Sequence, residues 1–410
     1  MSKQEFVEKL MEMRSQEHQS NLPPRLSPSK HNCEPRTHPR LAVLLAFLVA
    51  GFGMACWAPL VPLARDRLMI GESVLGTLLL CLGLGSVSSM LAAGALSTRY
   101  GTKALIVGGG LGMAAIVPFL ALASTPLTLG MALGGFGACL GSLDVAMNIN
   151  ALDVERRAQR PLMSGFHALY SVGGFAGSAF MTALLSSNAV PWAATLIAAA
   201  LMCGALLVTV RHLSETTRSE HGPLFAFPRK IVLLIAALAG VTFLVEGAML
   251  DWSALLVVDT GLMDVRHAGT CFMLFSVAMT LGRLFGDRAV ARLGDQLTLQ
   301  LGGALSIVGF VVLLLTSVPA LALCGFMLIG LGISNVVPVL FRRAGQQQVM
   351  PAALAVSAVT TAGYAGVLLG PAMIGFAASW VGLSSAFWLL AILVLLLPVT
   401  ARLVVRKAAG

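Results

Sequence analysis

Blocks of about 20 apolar residues, separated by short polar gaps, recur along the whole chain after residue 40. An α-helix of that length spans about 30 Å at roughly 1.5 Å per residue, the thickness of a bilayer's hydrocarbon. Lipid offers no partner to a backbone N–H or C=O, so each block is predicted to be a helix that bonds its own main chain. The candidate spans are 41–63, 73–97, 104–124, 127–150, 163–187, 191–210, 231–258, 268–287, 297–317, 320–341, 352–376 and 382–401. Twelve spans put both termini on one side. The expected fold class is therefore an all-α, multi-pass membrane protein. With 57% of residues hydrophobic and 11% charged, against about 25% charged in ordinary soluble domains, a soluble enzyme is excluded.

The net charge of +9 is explained by where the charge lies. Of the 27 lysines and arginines, only Arg65, Arg67 and Arg266 fall in loops on the side away from the termini. Basic residues are retained on the cytoplasmic side during insertion, so both termini are expected in the cytoplasm, and the protein in a cytoplasmic (inner) membrane. The basic excess is topological, and no nucleic-acid partner is expected. The seven cysteines have no CxxC spacing. Cys56, Cys81, Cys139, Cys203, Cys271 and Cys324 lie in apolar spans and read as packing residues, with Cys33 in the tail. No metal-ligand cluster, GxSxG elbow or GxxxxGK[ST] loop occurs, so no metal, cofactor or enzymatic activity is expected. Any energy used comes from an ion gradient.

Residues 1–40 are polar and proline-rich, with no apolar stretch of signal-peptide type, and are expected to form a disordered cytoplasmic tail. The longest later polar interval, 211–230, divides the spans into six-helix halves at 41–210 and 231–405, with 406–410 as a cytoplasmic end. The halves echo each other: Gly94-Ala-Leu-Ser-Thr-Arg-Tyr-Gly101-Thr-Lys103 after the second span answers Gly286-Asp-Arg-Ala-Val-Ala-Arg-Leu-Gly294 after the eighth. Repeated halves are the mark of a transporter that rocks around a site at the repeat interface.

On these features the chain resembles the major facilitator superfamily over about residues 40–405. The loop at Gly94, Leu96, Arg99, Gly101 and Lys103 is similar to the family's G-x-L-x-D-R-x-G-x-K/R element. Thr98 stands where the family has Asp, and Ala291 occupies the equivalent place in the second loop. The resemblance implies that Gly94, Arg99, Gly101 and Lys103 govern gating and helix docking. Arg283 and Asp287, one helical turn apart, are expected to supply a substitute ion pair. A finer likeness links the chain to a bacterial inner-membrane branch related to fucose-permease-like sugar–proton symporters. It rests on Asp144 to Asn148, Gly165 to Ser171, and Glu246 to Trp252. The first-helix acid of the fucose permeases has no counterpart, so fucose itself is not implied.

Three acids read as intramembrane: Asp144, Glu246 and Asp251. A carboxylate in hydrocarbon costs about 2.5 kcal/mol or more, so each needs a purpose or a partner. No lysine or arginine is read at the depth of Glu246, which makes Glu246 and Asp144 the candidate proton-coupling residues. Asn148 shares a helix face with Asp144. His167 and Tyr170 lie on one stripe with Gly174 and Gly177, a pattern that suits either a pore-facing polar stripe or close helix packing. Asn335 occupies in the tenth span the depth of Asp144 in the fourth. Trp57, beside Pro59, and Trp252 are candidate sugar-stacking rings or interfacial anchors. Asp251, five residues beyond Glu246, is expected to be an interfacial residue or an extracellular gate partner for Arg65, Arg67 or Arg266. The run Gly363 to Pro371 reads as a kinked, close-packing helix.

The expected function is alternating-access transport of a small polar solute, sugar- or polyol-like, coupled to protons, by a monomer in the bilayer. Two alternatives stay open at this point: a proton-coupled efflux antiporter of amphipathic drugs, and a transporter-like sensor that signals through its tail.

Overall fold

The structure, a computed structural model, describes residues 38–70, 72–213, 227–263 and 270–406. The expected tail up to Thr37, the central part of the expected linker, the loop containing Arg266 and the last four residues lie outside the described residues. All regular structure among the described residues is helical. Before residue 214 the helices are α1 (Pro39–Trp57), α2 (Leu60–Leu68), α3 (Glu72–Tyr100), α4 (Thr102–Leu122), α5 (Pro126–Ala158), α6 (Met163–Ser186) and α7 (Pro191–His212). After residue 226 they are α8 (Ile231–Asp259), α9 (Thr270–Leu315), α10 (Pro319–Ile333), α11 (Val336–Gln346), α12 (Ala352–Val381), α13 (Leu383–Val394) and α14 (Leu396–Val405). These are referred to below as the first and second sets.

Local chemistry sets the ends. Proline occupies the first turn of α1, α5, α7 and α10, where its missing N–H is no loss. Thr125 and Thr128 form a reciprocal capping box at the start of α5, satisfying donors that the first helical turn leaves open. At the far end of α4, Arg67 donates to the carbonyls of Leu120, Ala121 and Ala123 at 3.0, 2.6 and 3.0 Å. A cation there suits the partial negative charge of a helix C-terminus.

Eleven helices among the described residues are long and apolar enough to cross a membrane. The differences from the expected spans have identifiable causes. The segment 41–63 is divided into α1 and α2 at Pro59, whose ring removes a backbone donor. The final span is divided between α13 and α14, just before Pro398. The expected loop Gly286–Gly294 is largely helical, so the eighth and ninth spans run together as the 46-residue α9. The direction of α9 changes at Gly294, with φ 75° and ψ 165°.

Helices of one set pack through small residues. A Cβ on Gly137 of α5 would overlap the Leu82 carbonyl of α3, and the Ser86 hydroxyl of α3 bonds the Gly137 carbonyl at 3.0 Å. In the second set a Cβ on Gly366 of α12 would overlap the Gly240 carbonyl of α8. Lipid tails are as apolar as leucine, so close van der Waals approach rather than hydrophobic exclusion holds such pairs.

The repeated loops share a backbone conformation. Gly101, with φ 84° and ψ 152°, initiates α4 as Gly294 initiates the second part of α9. This region of φ/ψ is open essentially to glycine alone. The same sequence offset carries the Thr102–Asn150 hydrogen bond, 3.0 Å, onto the Asp295–Arg343 ion pair, 2.6 Å. Gly137→Val is expected to destabilise the protein by about 1–3 kcal/mol or more through overpacking; an earlier thermal transition in detergent would report it.

Candidate functional site

The polar interior is assembled by one residue that the sequence places near a helix end. Arg283 of α9 is buried, and its guanidinium turns inward. Nη1 donates to the Ser171 hydroxyl of α6 at 3.0 Å, Nε donates to the Ser334 carbonyl at 3.3 Å, and Nη2 lies 3.6 Å from Glu246 of α8. The expectation that Glu246 has no cation at its depth is therefore corrected. An arginine side chain is long enough to carry its charge several ångströms along the helix from its own Cα. The contact is loose: Glu246 retains 29% side-chain exposure against 8% for Arg283.

Tyr170 of α6 and Tyr364 of α12 are partly buried against the core, the Tyr364 ring 6.4 Å from that of Phe243 of α8. Asp144 and Asn148 are both buried on α5. The Asn148 amide donates to the Asp144 carbonyl at 2.9 Å and lies 3.5 Å from its carboxylate, while Asn148 Oδ1 is buried with no protein donor. The interior thus holds two carboxylates, one guanidinium and two phenols contributed by both sets, and presents both donors and acceptors for hydrogen bonds.

The other expected site residues are placed as follows. His167 lies between the rings of Phe47 of α1 and Phe341 of α11, with centroids at 5.2 and 5.6 Å, and its Nε2 is buried without a partner. Asn335, between α10 and α11, donates to the Gly282 carbonyl at 3.1 Å and the Ser334 hydroxyl at 3.0 Å, tying the break between those helices to α9. Trp57 is buried in the apolar core. Trp252 is half-buried with its ring against Gly375 of α12.

Asp251 is exposed, and the expected gate pairs with Arg65 and Arg67 are not made. Arg65 lies 3.4 Å from Asp66, and Arg67 is committed to the carbonyls at the end of α4; Arg266 lies outside the described residues. The expected Arg283–Asp287 pair is also corrected. Arg283 points to the interior, while Asp287 accepts from the backbone N–H groups of Ser164 and Gly165 at 3.0 and 3.1 Å. Two parallel main-chain donors at a helix N-terminus satisfy that carboxylate directly. In the first repeated loop, Arg99 lies over the Tyr100 ring at 5.5 Å, Lys103 is half-buried and Gly94 abuts Ser357 of α12.

Sequence reasoning missed a second charged cluster, at the end of the bundle where α1 begins and α14 ends. Arg342 of α11 binds Glu155 of α5 through two guanidinium nitrogens, Nη2 at 3.1 Å, and binds Asp295 through Nη1 at 2.5 Å. Arg343 joins Asp295 at 2.6 Å and the Val405 carbonyl at 3.3 Å. Two adjacent arginines closing an apolar helix were the available signal, since such a pair must find acids or water. Leu152 against Gly345, and Ser357 donating to the Met90 carbonyl at 2.5 Å, add contacts between the sets.

A helical bundle of this kind, with buried charges between two sets of spanning helices, is that of a multi-pass membrane transporter. The chain belongs to the major facilitator superfamily, whose family model matches residues 43–349. It is 45% identical to an uncharacterised MFS-type transporter of Yersinia pestis over 91% of this chain and 97% of that protein. It is 31% identical to an uncharacterised transporter of Sinorhizobium fredii, over 88% and 97% respectively. Among solved structures it is similar to FucP in the outward conformation, with a TM-score of 0.73 at 15% identity over 90% of this chain and 99% of that one. It is also similar to the human organic anion transporter MFSD10, with a TM-score of 0.71 at 16% identity over 88% and 98%.

Removing either partner of the interior ion pair leaves the other without its counter-charge, Arg283 buried and Glu246 partly so. Glu246→Gln and Arg283→Gln are each expected to lower thermal stability, and the double variant to lose less than the sum. A coupling of about 0.5–3 kcal/mol in a double-mutant cycle would report the contact, and strict additivity would exclude it.

Proposed function

We propose that this transporter moves a small polar solute, sugar- or polyol-like, across the inner membrane by alternating access and couples that movement to protons. The observation that carries the reading is the loose Glu246–Arg283 contact, with Ser171 of the first set on the same guanidinium. Hydrogen-bonding groups from both sets converge there, as a solute site between rocking halves requires. Asp144 and Glu246 carry the proton, Asn148, Tyr170, Arg283 and Tyr364 meet the solute, and His167 packs at its edge. The names of two structural neighbours support the solute class: FucP is a fucose:proton symporter and XylE a proton:xylose symporter.

The corner at Gly294 supports counting α9 as two spans, for twelve in halves 41–210 and 231–405. The distribution of basic residues supports cytoplasmic termini. On that topology the end where α1 begins and α14 ends faces the cytoplasm. Arg342–Glu155, Asp287–Ser164 and Ser357–Met90 then close the cytoplasmic side.

Proteoliposomes supply the test. Uptake of a panel of sugars and polyols is expected to rise when an inward proton gradient is imposed, and to lose that response in both Asp144→Asn and Glu246→Gln. Gradient-driven uptake that survives both substitutions would remove these residues from the coupling. Uptake indifferent to the gradient in the unmodified protein would make it a uniporter.

A further inference from the structure

The two parts of α9 and the end of α10 enclose a crevice of about 380 Å³ on the surface of the second set. Its floor is backbone. A Cβ on Gly302 would stand 2.5 Å from the Gly332 carbonyl, so the helices meet there with no side chain between them. Its walls are Leu281, Phe285 and Leu293 on one side and Leu301 and Leu331 on the other, all of them exposed. Apolar walls around a bare floor accept a slender apolar chain, which gains dispersion contacts on several sides at once.

One row of residues runs from this crevice to the end of the bundle. Leu281, Phe285, Arg288 and Arg292 follow each other at i, i+4, i+7 and i+11, which places them on a single face of α9. The first two line the crevice; the last two are exposed and lie close to the corner at Gly294. Like charges one turn apart repel, and the nearest acids are already taken. Asp287 accepts from the start of α6, and Asp295 pairs with Arg342 and Arg343. Among the described residues, neither the Arg288 nor the Arg292 side chain has an ion pair or a hydrogen bond. The row is apolar at depth and doubly basic where the bundle ends, the order in which a phospholipid presents its chain and its head.

The matching row of the first set has neither feature. The offset that carries Gly101 onto Gly294 gives Ser88, Ala92, Ala95 and Arg99. Alanine stands for Phe285, Gly108 for Leu301, and the single arginine lies over the Tyr100 ring at 5.5 Å.

We propose that the crevice is a lipid site: it seats one acyl chain of an anionic glycerophospholipid between Phe285, Leu301 and Leu331 and holds the phosphate on Arg288 and Arg292. Basic residues beside a crevice between spanning helices select an anionic head over a zwitterionic one. The crevice is also lined by Gly282 and Asn335, which carry the hydrogen bond from α9 to the break before α11. A chain seated there packs over the joint behind Arg283, so its binding registers as stability.

The test uses full-length protein, delipidated in mild detergent, with thermal unfolding followed as lipid is added back. Dioleoylphosphatidylglycerol is expected to saturate its stabilisation at a concentration about tenfold or more below that of dioleoylphosphatidylcholine, the scale of two basic residues against an anionic lipid. The double variant Arg288→Gln, Arg292→Gln is expected to bring the two lipids within about twofold. Arg156→Gln with Arg160→Gln removes the same charge beyond the crevice, from the end of α5, and is expected to keep the preference. Ala289→Phe fills the crevice and leaves both arginines; it is expected to weaken both lipids about threefold or more. Equal responses to the two lipids in the parent would overturn the site, as would a preference that survives loss of Arg288 and Arg292 or falls equally with Arg156 and Arg160. Parent-like lipid binding in Ala289→Phe would remove the chain from the crevice. Soluble glycerol 3-phosphate matching the anionic lipid would reduce the site to a phosphate-binding rim and overturn it as a lipid site.

Discussion

A guanidinium inside a membrane protein must be surrounded by acceptors, and the interior of this structure is arranged around that demand. Arg283 reaches Glu246 on α8, Ser171 on α6 and the Ser334 carbonyl. The last of these depends on a break in a helix. Pro338, four residues beyond Ser334, has no N–H to give that carbonyl, so where α10 stops at Ile333 and α11 begins at Val336 the oxygen is left for the arginine. Asn335 occupies the same gap and bonds back to α9 through the Gly282 carbonyl. Irregular backbone at this depth is tolerated in membranes only where protein or a polar cavity answers it. Here the freed carbonyl and the buried charge satisfy each other.

Two kinds of adhesion divide the molecule. Within a set, glycines bring helix backbones together at Gly137 against Leu82 and at Gly366 against Gly240. Contacts of that type gain nothing from water and lose much if separated. Between the sets, glycine contacts at Gly94–Ser357 and Gly345–Leu152 are joined by hydroxyls, carboxylates and guanidinium groups, as at Asp287–Ser164 and Glu155–Arg342. Water can replace each of these polar partners. Cohesion inside a set is therefore hard to exchange and cohesion between sets is easy to exchange, which is the property that lets packed bodies separate along one surface.

Much of the architecture was legible because bilayer thickness and backbone satisfaction leave few choices. Most apolar blocks became helices near their expected positions, and the glycine of each repeated loop marked a real corner. The misreadings came from treating depth as a property of sequence position. Arg283 looked like a loop-side residue because its Cα is near the end of an apolar block, yet its side chain points inward. Asp287 looked like its partner because the two are one turn apart on the same helix, yet the free N–H groups of α6 offered a better geometry. Glu155 and Arg342 were invisible as a pair because 187 residues separate them and nothing local connects them. Tyr364 was hidden inside a glycine-rich run whose bland reading was helix packing. The acids Asp144 and Glu246 stood out because a carboxylate in an apolar block has no silent explanation.

The corners at Gly101 and Gly294 have a mechanical consequence. A corner made by one glycine, with a helix continuing directly from it, leaves no length of loop to take up a displacement. Such a joint transmits rotation rather than absorbing it. If α3 tilts, α4 is carried with it, and the two parts of α9 behave as a single bent lever. The short loops then act as welds that deliver a displacement at one end of the bundle to the other.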